Sequence, residues 1–257
     1  MTDSTSLTPP ADAWSGRVAL VTGGARRIGA AIVNGLHAQG ANVAIHCRQS
    51  HDEAVSLRDA LNRQRAHSAI VLTADLLDTS QLPGLIEQTL AAFGRLDLLV
   101  NNASTFYPTP MGSITSAHWE DLLGTNLKGP LFLAQAAADS LRATHGSIVN
   151  MIDIHAQRPL PQHAVYSTAK AGLVMLTKAL ARELSPEVRV NGIAPGPILW
   201  PDGGIDASLQ EEIISRTLLK RSGSPEDIVR AVLFFAKDAP YVTGQILAVD
   251  GGRSVGW

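Results

Sequence analysis

The sequence of residues 18–29 is VALVTGGARRIG. Its first four residues are apolar, which predicts a short buried strand over Val18–Val21. Apolar residues then recur three to four positions apart from Ile28 to Leu36, the period of an amphipathic helix over residues 28–39. A glycine-rich turn joins the two elements. A strand, a glycine turn and a helix in this order are the first unit of a doubly wound α/β fold.

The same alternation continues along the chain. Further strands are predicted at residues 43–45, 69–72, 96–100, 147–152, 188–193 and 246–249. Helices are predicted at residues 51–64, 80–93, 119–141, 164–184 and 225–237, with a kink at Gly129-Pro130, and residues 195–207 are predicted to form a loop. The fold class is therefore α/β, with a single doubly wound Rossmann-type parallel sheet and helices on both faces.

Composition limits the classes of function. The 257 residues are 45% hydrophobic and 17% charged, with a formal net charge of -2, which is typical of a soluble globular protein and argues against a large nucleic-acid surface. No apolar run is long enough for a membrane span. The single cysteine fits a reducing cytoplasmic setting, and the histidines show no metal-ligand spacing, so no metal is expected. Residues 1–15 are predicted to be a flexible N-terminal tail before one domain at residues 16–257.

The glycine turn predicts a site for a dinucleotide pyrophosphate. Gly23 allows backbone N–H groups to approach the phosphates, and the N-terminus of the following helix adds its positive end. The turn is not a strict G-x-G-x-x-G, because Arg27 stands where many such loops have glycine. Asp75, after the third predicted strand, has two equally supported interpretations: it caps the adenine region, or it is an ordinary turn residue.

The end of the second strand predicts which dinucleotide binds. NAD-specific sites usually have an Asp or Glu here, whereas this chain has none before Asp52. Arg48 occupies the strand end, with Ser50 close by and Arg26 in the glycine turn, and a guanidinium with a hydroxyl suits a 2′-phosphate. We therefore expect NADPH rather than NADH. The alternative is that Arg48 is a solvated surface residue.

Tyr166 and Lys170 are the candidate catalytic pair. They are four residues apart on a predicted helix, so they share a face. An ammonium beside a phenol favours the phenolate and lowers the pKa of the tyrosine towards the range useful for proton transfer. The alternative is an exposed helical pair. The order of the whole set favours catalysis: the glycine turn, Asn101-Asn102-Ala103, Asn126, Asp153, Tyr166 with Lys170, and Pro195-Gly196.

In this order of motifs the chain resembles the short-chain dehydrogenase/reductase family over essentially its full length beyond the tail. The resemblance implies hydride transfer between a nicotinamide cofactor and a carbonyl or imine. It implies that Tyr166 donates the proton, that Lys170 holds the ribose and tunes Tyr166, and that Asn126 supports a water and Lys170. The cofactor-binding residues it implies are Gly23, Arg26, Arg27, Ile28, Arg48, Ser50, Asp75, Asn102, Ala103, Ser104, Tyr166, Lys170, Pro195 and Gly196.

Within that family the chain resembles the pteridine reductases at three places. Asp153 stands thirteen residues before Tyr166, where most of the family has serine; Arg27 lies in the glycine turn; and residues 101–108 are NNASTFYP, where many relatives have Asn-Asn-Ala-Gly. The resemblance implies that Phe106 stacks on a pterin, that Ser104 bonds to pterin and cofactor, and that Arg27 lies beside the phosphates and the ligand. A flat heteroaromatic ring needs such a π partner and such polar groups.

The resulting hypothesis is an NADPH-dependent reductase of oxidised or dihydro pterins of the biopterin or folate kind, with Asp153 in the catalytic set. The predicted substrate-binding residues are Arg27, Ser104, Phe106, Asp153, Tyr166 and Trp200. Trp200 is either a pocket wall or packed on the surface, and His155 and His163 either line the pocket or are solvated. The resemblance also implies a homotetramer. Two alternatives stay open: a reductase of another carbonyl, such as a ketoacyl, sugar or steroid-like substrate, and a nucleotide-binding module without catalysis.

Overall fold

The structure is a computed structural model that describes residues 14–200, 204 and 206–256. The predicted flexible tail lies outside the described residues, except for Trp14 and Ser15. Trp14 is buried in the hydrophobic core, and its backbone N–H donates to the backbone carbonyl of Gln39 at 3.2 Å. The sequence-based boundary assigned Trp14 to the tail, whereas its side chain belongs to the core cluster that includes Ile32 and Leu36.

Seven parallel strands form one sheet in the order β3-β2-β1-β4-β5-β6-β7. The strands are Val18–Val21 (β1), Asn42–Cys47 (β2), Ala69–Thr73 (β3), Leu98–Asn101 (β4), Ser147–Met151 (β5), Arg189–Pro195 (β6) and Ile246–Val249 (β7). The strand order reverses between β1 and β4, which is the point where doubly wound folds leave a crevice for a ligand. The predicted fold class and its strands are confirmed.

Eight α-helices occur among the described residues. They are Arg27–Ala38 (α1), His51–Gln64 (α2), Leu82–Phe93 (α3), Ser116–Leu123 (α4), Gly129–Thr144 (α5), Ala164–Glu183 (α6), Ala207–Ser215 (α7) and Pro225–Leu233 (α8). Short 3-10 turns lie at Thr79–Gln81 and Ile154–Ala156, and π-helical segments at Gly124–Lys128 and Phe234–Asp238. No helix in this part of the chain is both long enough and apolar enough to cross a membrane.

Alternate residues of each strand supply two separate cores, one on each face of the sheet. In β1, Ala19 and Val21 face α1, α2 and α8, whereas Val18 and Leu20 face α3, α5 and α6. The strands are therefore apolar on both faces, as buried parallel strands are. Because helices pack on both faces of the sheet, the carboxyl ends of the strands are held in place, and so are the starts of the loops that follow them.

The predicted long helix at residues 119–141 is two helices, α4 and α5, joined by the π-helical segment. The sequence analysis placed a kink at Gly129-Pro130, and the interruption lies just before it. Pro130 has no N–H to donate to the carbonyl of Asn126, four residues earlier, so the regular ladder cannot continue there. The wider π turn places Asn126 at the site. Helix α7 was not predicted, because its sequence continues a Pro- and Gly-rich loop.

Candidate active site

Two cavities open at the carboxyl edge of the sheet. A cavity of about 490 Å³ lies over the glycine turn and the ends of β2 and β3, and nine of the predicted cofactor residues line it. They are Gly23, Arg26, Arg27, Ile28, Arg48, Asp75, Asn102, Ala103 and Ser104. A cavity of about 700 Å³ lies beside it, between the loop after β5 and α7. Of the predicted residues, it is lined by Phe106, Asp153, Tyr166, Pro195, Gly196 and Trp200.

The glycine turn is shaped for close approach of an anion to the start of α1. A Cβ on Gly29 would lie 2.0 Å from the carbonyl oxygen of Gly23, so only glycine allows the turn to fold onto the helix. The first turn of α1 contains no acidic residue, and no side-chain cap from the described residues bonds to its N–H groups. A helix start of this kind leaves donors for a pyrophosphate.

Charge in the smaller cavity also fits a phosphorylated dinucleotide. Arg26, Arg27 and Arg48 line it, against the single carboxylate of Asp75. Arg48 and Asp75 are about 40% exposed and 3.8 Å apart, which is a weak, screened pair, so the guanidinium is still available to a phosphate. Asp75 also accepts from the N–H of Leu77 at 3.0 Å, so both interpretations of this residue fit. Ser50 lies at the start of α2 and is not among the cavity's lining residues.

Asn102 acts as a strut between the glycine turn and the end of β4. Its amide group donates to the carbonyls of Thr22 and Gly23 at 2.9 and 3.1 Å. In return, the hydroxyl of Thr22 accepts from the N–H groups of Asn102 and Ala103 at 2.9 and 3.0 Å. Sequence reasoning missed Thr22, although its place directly after an apolar strand and before two glycines is a signal for such a role.

Tyr166 and Asp153 form the centre of the larger cavity. The hydroxyl of Tyr166 donates to a carboxylate oxygen of Asp153 at 2.8 Å. The other oxygen of Asp153 accepts from the N–H of His155 at 2.8 Å, at the start of the 3-10 turn. This second bond fixes the carboxylate, so its free lone pairs and the phenol face the same space.

The predicted lowering of the tyrosine pKa by Lys170 is wrong for the free protein. Burial, followed by the negative charge of Asp153 and the hydrogen bond to it, raises the pKa of Tyr166 well above its ordinary value. The Ser104 hydroxyl acts in the opposite direction and is the smallest of these influences. Tyr166 is therefore a neutral phenol over the physiological range, and a neutral phenol is what a proton donor needs to be.

Lys170 lies one helical turn from Tyr166, below its ring. Its ammonium nitrogen donates to the carbonyl of Met151 at 2.9 Å and lies 5.7 Å from the centre of the Tyr166 ring. Because Lys170 is fully buried, desolvation lowers its pKa to about 8, against the opposing influence of Asp153. The sequence analysis correctly placed these residues on one face of a helix.

This pKa predicts how activity depends on pH. Because the folded pKa of Lys170 is lowered to about 8, the ammonium loses its proton as the pH rises through that value. We expect kcat/KM to fall above this pH by about tenfold per pH unit, since a neutral amine holds a ribose hydroxyl and a developing phenolate less well. Lys170→Arg keeps its charge throughout and should lack this limb. A wild-type profile that stays flat well above pH 8 would contradict the assignment.

Ser104, which is exposed to the smaller cavity, and the buried Asn126 form a polar link beside the site. The Ser104 hydroxyl donates to the side-chain oxygen of Asn126 at 2.6 Å. The amide nitrogen of Asn126 donates to the carbonyls of Thr105 and Leu122 at 3.0 and 2.9 Å. The side chain of Asn126 thus holds the strand-end loop at residues 102–106 against the π-helical segment through Ser104 and Thr105, while its bond to Leu122 fixes its own orientation. Asn126 positions the loop that carries Ser104 and Phe106.

Phe106 is presented to the larger cavity with 51% of its surface exposed. One edge contact is with Tyr166, at 4.8 Å between ring centres and an angle of 78°. His163 stacks on it at 4.6 Å and 14°, so this histidine, one of the two left open by the sequence, belongs to the pocket. The stacked imidazole of His163 shows that the face of Phe106 can pack against a flat ring, as a π partner of a heteroaromatic ligand would.

Arg27 connects the two cavities. It has a φ of 53°, a conformation that disfavours any residue with a Cβ, and its guanidinium donates to the carbonyl of Trp200 at 2.8 Å. Trp200 lines the larger cavity, so it is a pocket wall. The far wall comes from α7 through Leu209 and Ile213, which sequence reasoning missed together with that helix. Their four-residue spacing is the signal that was available.

Fold and site together define an oxidoreductase that uses a nicotinamide dinucleotide. A family model described as enoyl-(acyl carrier protein) reductase matches residues 23–254. Pteridine reductase 1 of Leishmania tarentolae is 37% identical, covering 93% of this chain and 96% of its own length. The 3-oxoacyl-(acyl-carrier-protein) reductase FabG of Staphylococcus aureus (strain Mu50) is 34% identical, covering 91% and 96%. The chain therefore belongs to the short-chain dehydrogenase/reductase family.

A solved structure agrees with this assignment. The crystal structure of a blue fluorescent protein from a metagenomic library, in complex with NADPH, superposes with a TM-score of 0.87 and 35% identity, covering 93% of this chain and 98% of that protein. The relatives at similar identity differ in substrate, since they include both a pteridine reductase and ketoacyl reductases. Family membership therefore fixes the class of reaction, and the substrate has to be argued from the site.

Proposed function

We propose that the protein is an NADPH-dependent reductase of oxidised or dihydro pterins. The observation that carries this proposal is the 2.8 Å hydrogen bond from Tyr166 to the carboxylate of Asp153. A pterin presents a ring nitrogen that must be protonated and neighbouring N–H groups that need an acceptor. A carboxylate beside the proton donor serves both needs, because it accepts from N–H groups and exchanges protons with solvent.

NADPH, when bound, supplies the hydride that reduces the C=N carbon. Tyr166 donates its hydroxyl proton to the ring nitrogen, so that one hydride and one proton saturate the bond. The resulting phenolate is stabilised by the Lys170 ammonium and regains a proton from solvent through Asp153, which lines the cavity. Phe106 and His163 orient the flat ring, and Leu199, Leu209 and Ile213 give the cavity apolar walls.

The decisive experiment mixes the purified protein with NADPH and a dihydropterin, either dihydrobiopterin or dihydrofolate, and follows the loss of NADPH absorbance. Rapid oxidation with the pterin and slow oxidation with simple ketones or a ketoacyl thioester supports the proposal. Turnover of the ketoacyl thioester alone would assign the protein to the other carbonyl reductases, as the resemblance to the Staphylococcus aureus enzyme allows. Cofactor binding without turnover of any of these would favour a nucleotide-binding module.

Arg48 should set the preference for NADPH over NADH. We expect Arg48→Ala to raise the KM for NADPH by about 10- to 100-fold and to change the KM for NADH less than about twofold, since a bond to a charged group is lost only with the 2′-phosphate. Steady-state kinetics with both cofactors measure this ratio. Arg58→Ala is a matched control, because Arg58 is a partly exposed arginine on α2 that pairs with Asp59 and does not line the cavity. Equal losses with both cofactors would contradict the assignment.

A further inference from the structure

The side chain of His46 lies under the smaller cavity, at the end of β2, and the sequence analysis gave it no role. The imidazole is almost fully buried, although it lines the cavity. The backbone N–H of Gly23 donates to its Nδ1 at 3.3 Å. Its Nε2 lies 3.2 Å from the carbonyl oxygen of Ala74. A single ring thus joins the glycine turn to the end of β3.

These two partners fix the protonation of the ring. A backbone N–H can only donate and a carbonyl can only accept, so Nδ1 carries no proton and Nε2 carries one. Burial agrees with this neutral form, since desolvation lowers the pKa of His46 to about 4 against the opposing influences of the Ala74 carbonyl and the nearby Asp75. At neutral pH the imidazole is therefore a rigid connector with one acceptor and one donor.

The positions it connects lie at the proposed pyrophosphate and adenine sides of the smaller cavity. Gly23 belongs to the turn at the pyrophosphate site, and Ala74 directly precedes Asp75 at the adenine side. Arg48 follows two residues after His46 on the same strand end. The ladder between β2 and β3 ends at the pair Cys47 and Thr73, so beyond it no regular strand pairing keeps these loops in register.

The backbone of His46 contributes as well. Its carbonyl accepts from the N–H of Gly24 at 2.9 Å, so both N–H groups at the start of the turn are bonded to this residue. The donors left for a phosphate are then those at the start of α1. Replacing the ring by an apolar one would remove the partner of the partly buried Gly23 N–H and of the Ala74 carbonyl, and the loops would rearrange to satisfy them.

We propose that His46 is a positioning residue for cofactor binding. Its neutral imidazole holds three parts of the cofactor site in register: the phosphate-binding turn at Gly23, Arg48 at the proposed 2′-phosphate site, and the loop at Ala74 on the adenine side. This inference rests on the proposed use of NADPH, but it concerns binding and requires no particular substrate. Loss of the ring should weaken cofactor affinity and leave the chemical step at Tyr166 unchanged.

The test compares three substitutions that divide the two bonds between them. His46→Asn keeps an acceptor at the position of Nδ1, His46→Gln keeps a donor near the position of Nε2, and His46→Phe keeps the ring shape with neither. The dissociation constant for NADPH is measured by fluorescence titration without substrate, and kcat is measured at saturating NADPH. We expect about a tenfold or larger rise in the dissociation constant for Phe, a smaller one for Asn, and kcat within about twofold for all three.

A His46→Phe protein that binds NADPH as tightly as the wild type would overturn the proposal, and so would a loss confined to kcat. If His46→Phe does not fold, the Asn and Gln proteins decide the question. NADPH affinities that match the wild type in both proteins overturn the role of His46. A lower NADPH affinity for the Gln protein, with a nearly unchanged affinity for the Asn protein, supports the contact with Gly23. If the wild-type protein binds NADH in preference to NADPH, the cofactor proposal is refuted. Titration of the same three variants with NADH would still test the positioning role of His46.

Discussion

Tyr166→Phe is expected to reduce kcat for pterin reduction by about 10²- to 10⁴-fold, which is what a positioned general acid contributes. The substitution removes one oxygen and leaves the ring. The contacts of that ring with Phe106 at 4.8 Å and with the Lys170 ammonium at 5.7 Å should therefore persist. The carboxylate of Asp153 loses its donor but can be solvated from the cavity. Rapid-mixing measurement of NADPH oxidation at saturating substrate gives the size of the loss.

Cofactor affinity is the control for this variant, because Tyr166 lines the larger cavity, whereas Arg26 and Arg48 line the smaller one, and because the substitution removes a single oxygen. The dissociation constant of NADPH and the thermal unfolding midpoint should be close to those of the wild type. A Tyr166→Phe protein that keeps more than about a tenth of the wild-type kcat would show that another group delivers the proton. Water held by Asp153 would then be the next candidate, and Tyr166→Phe combined with Asp153→Asn would test it.

The parts of the site that the sequence predicts are those built on regular elements. Tyr166 and Lys170 share a face because a helix repeats every 3.6 residues, and the glycine turn follows β1 because parallel strands end at one edge. Arg48 reaches the cavity for the same reason. These positions depend on local periodicity, which is visible in a single chain.

The parts that escaped prediction depend on contacts distant in sequence. Burial and the carboxylate of Asp153 set the direction of the Tyr166 pKa shift. The sequence alone reveals neither how deeply a side chain is buried nor how close two side-chain oxygens lie. His46 gains its role from Gly23 and Ala74, which three different strands bring together. The π-helical segment around Asn126 results from Pro130, whose effect extends one turn back along the chain.

Asp153→Ser should separate pterin reduction from ketone reduction. Serine is a good helix cap, so its hydroxyl can still accept from the N–H of His155 and hold the 3-10 turn. What it removes is the carboxylate, which in the proposed mechanism accepts from N–H groups of a pterin and returns protons to Tyr166. We expect kcat/KM for a dihydropterin to fall by about a hundredfold, at the lower end of what proton-transfer groups contribute.

Loss of the Asp153 carboxylate also has an effect that favours proton donation by Tyr166. Asp153 contributes to raising the pKa of Tyr166 through its charge and its hydrogen bond, so without it the phenol is a stronger acid. A ketone has no ring N–H groups that need an acceptor, so for this substrate the stronger acid should offset the lost relay. We therefore expect ketone reduction to be retained or increased, and the ratio of pterin to ketone activity to fall by two orders of magnitude or more.

Asp153→Asn separates charge from shape, because it keeps an acceptor oxygen in nearly the same place. If the carboxylate acts through its charge and its protons, the Asn protein should lose pterin reduction as the Ser protein does, with NADPH affinity unchanged in both. Kinetics with one dihydropterin and one simple ketone on the three proteins decide the matter. Pterin reduction within about threefold of wild type in both variants would contradict the role of Asp153 and remove the main support for a pterin substrate, because a lost relay costs far more.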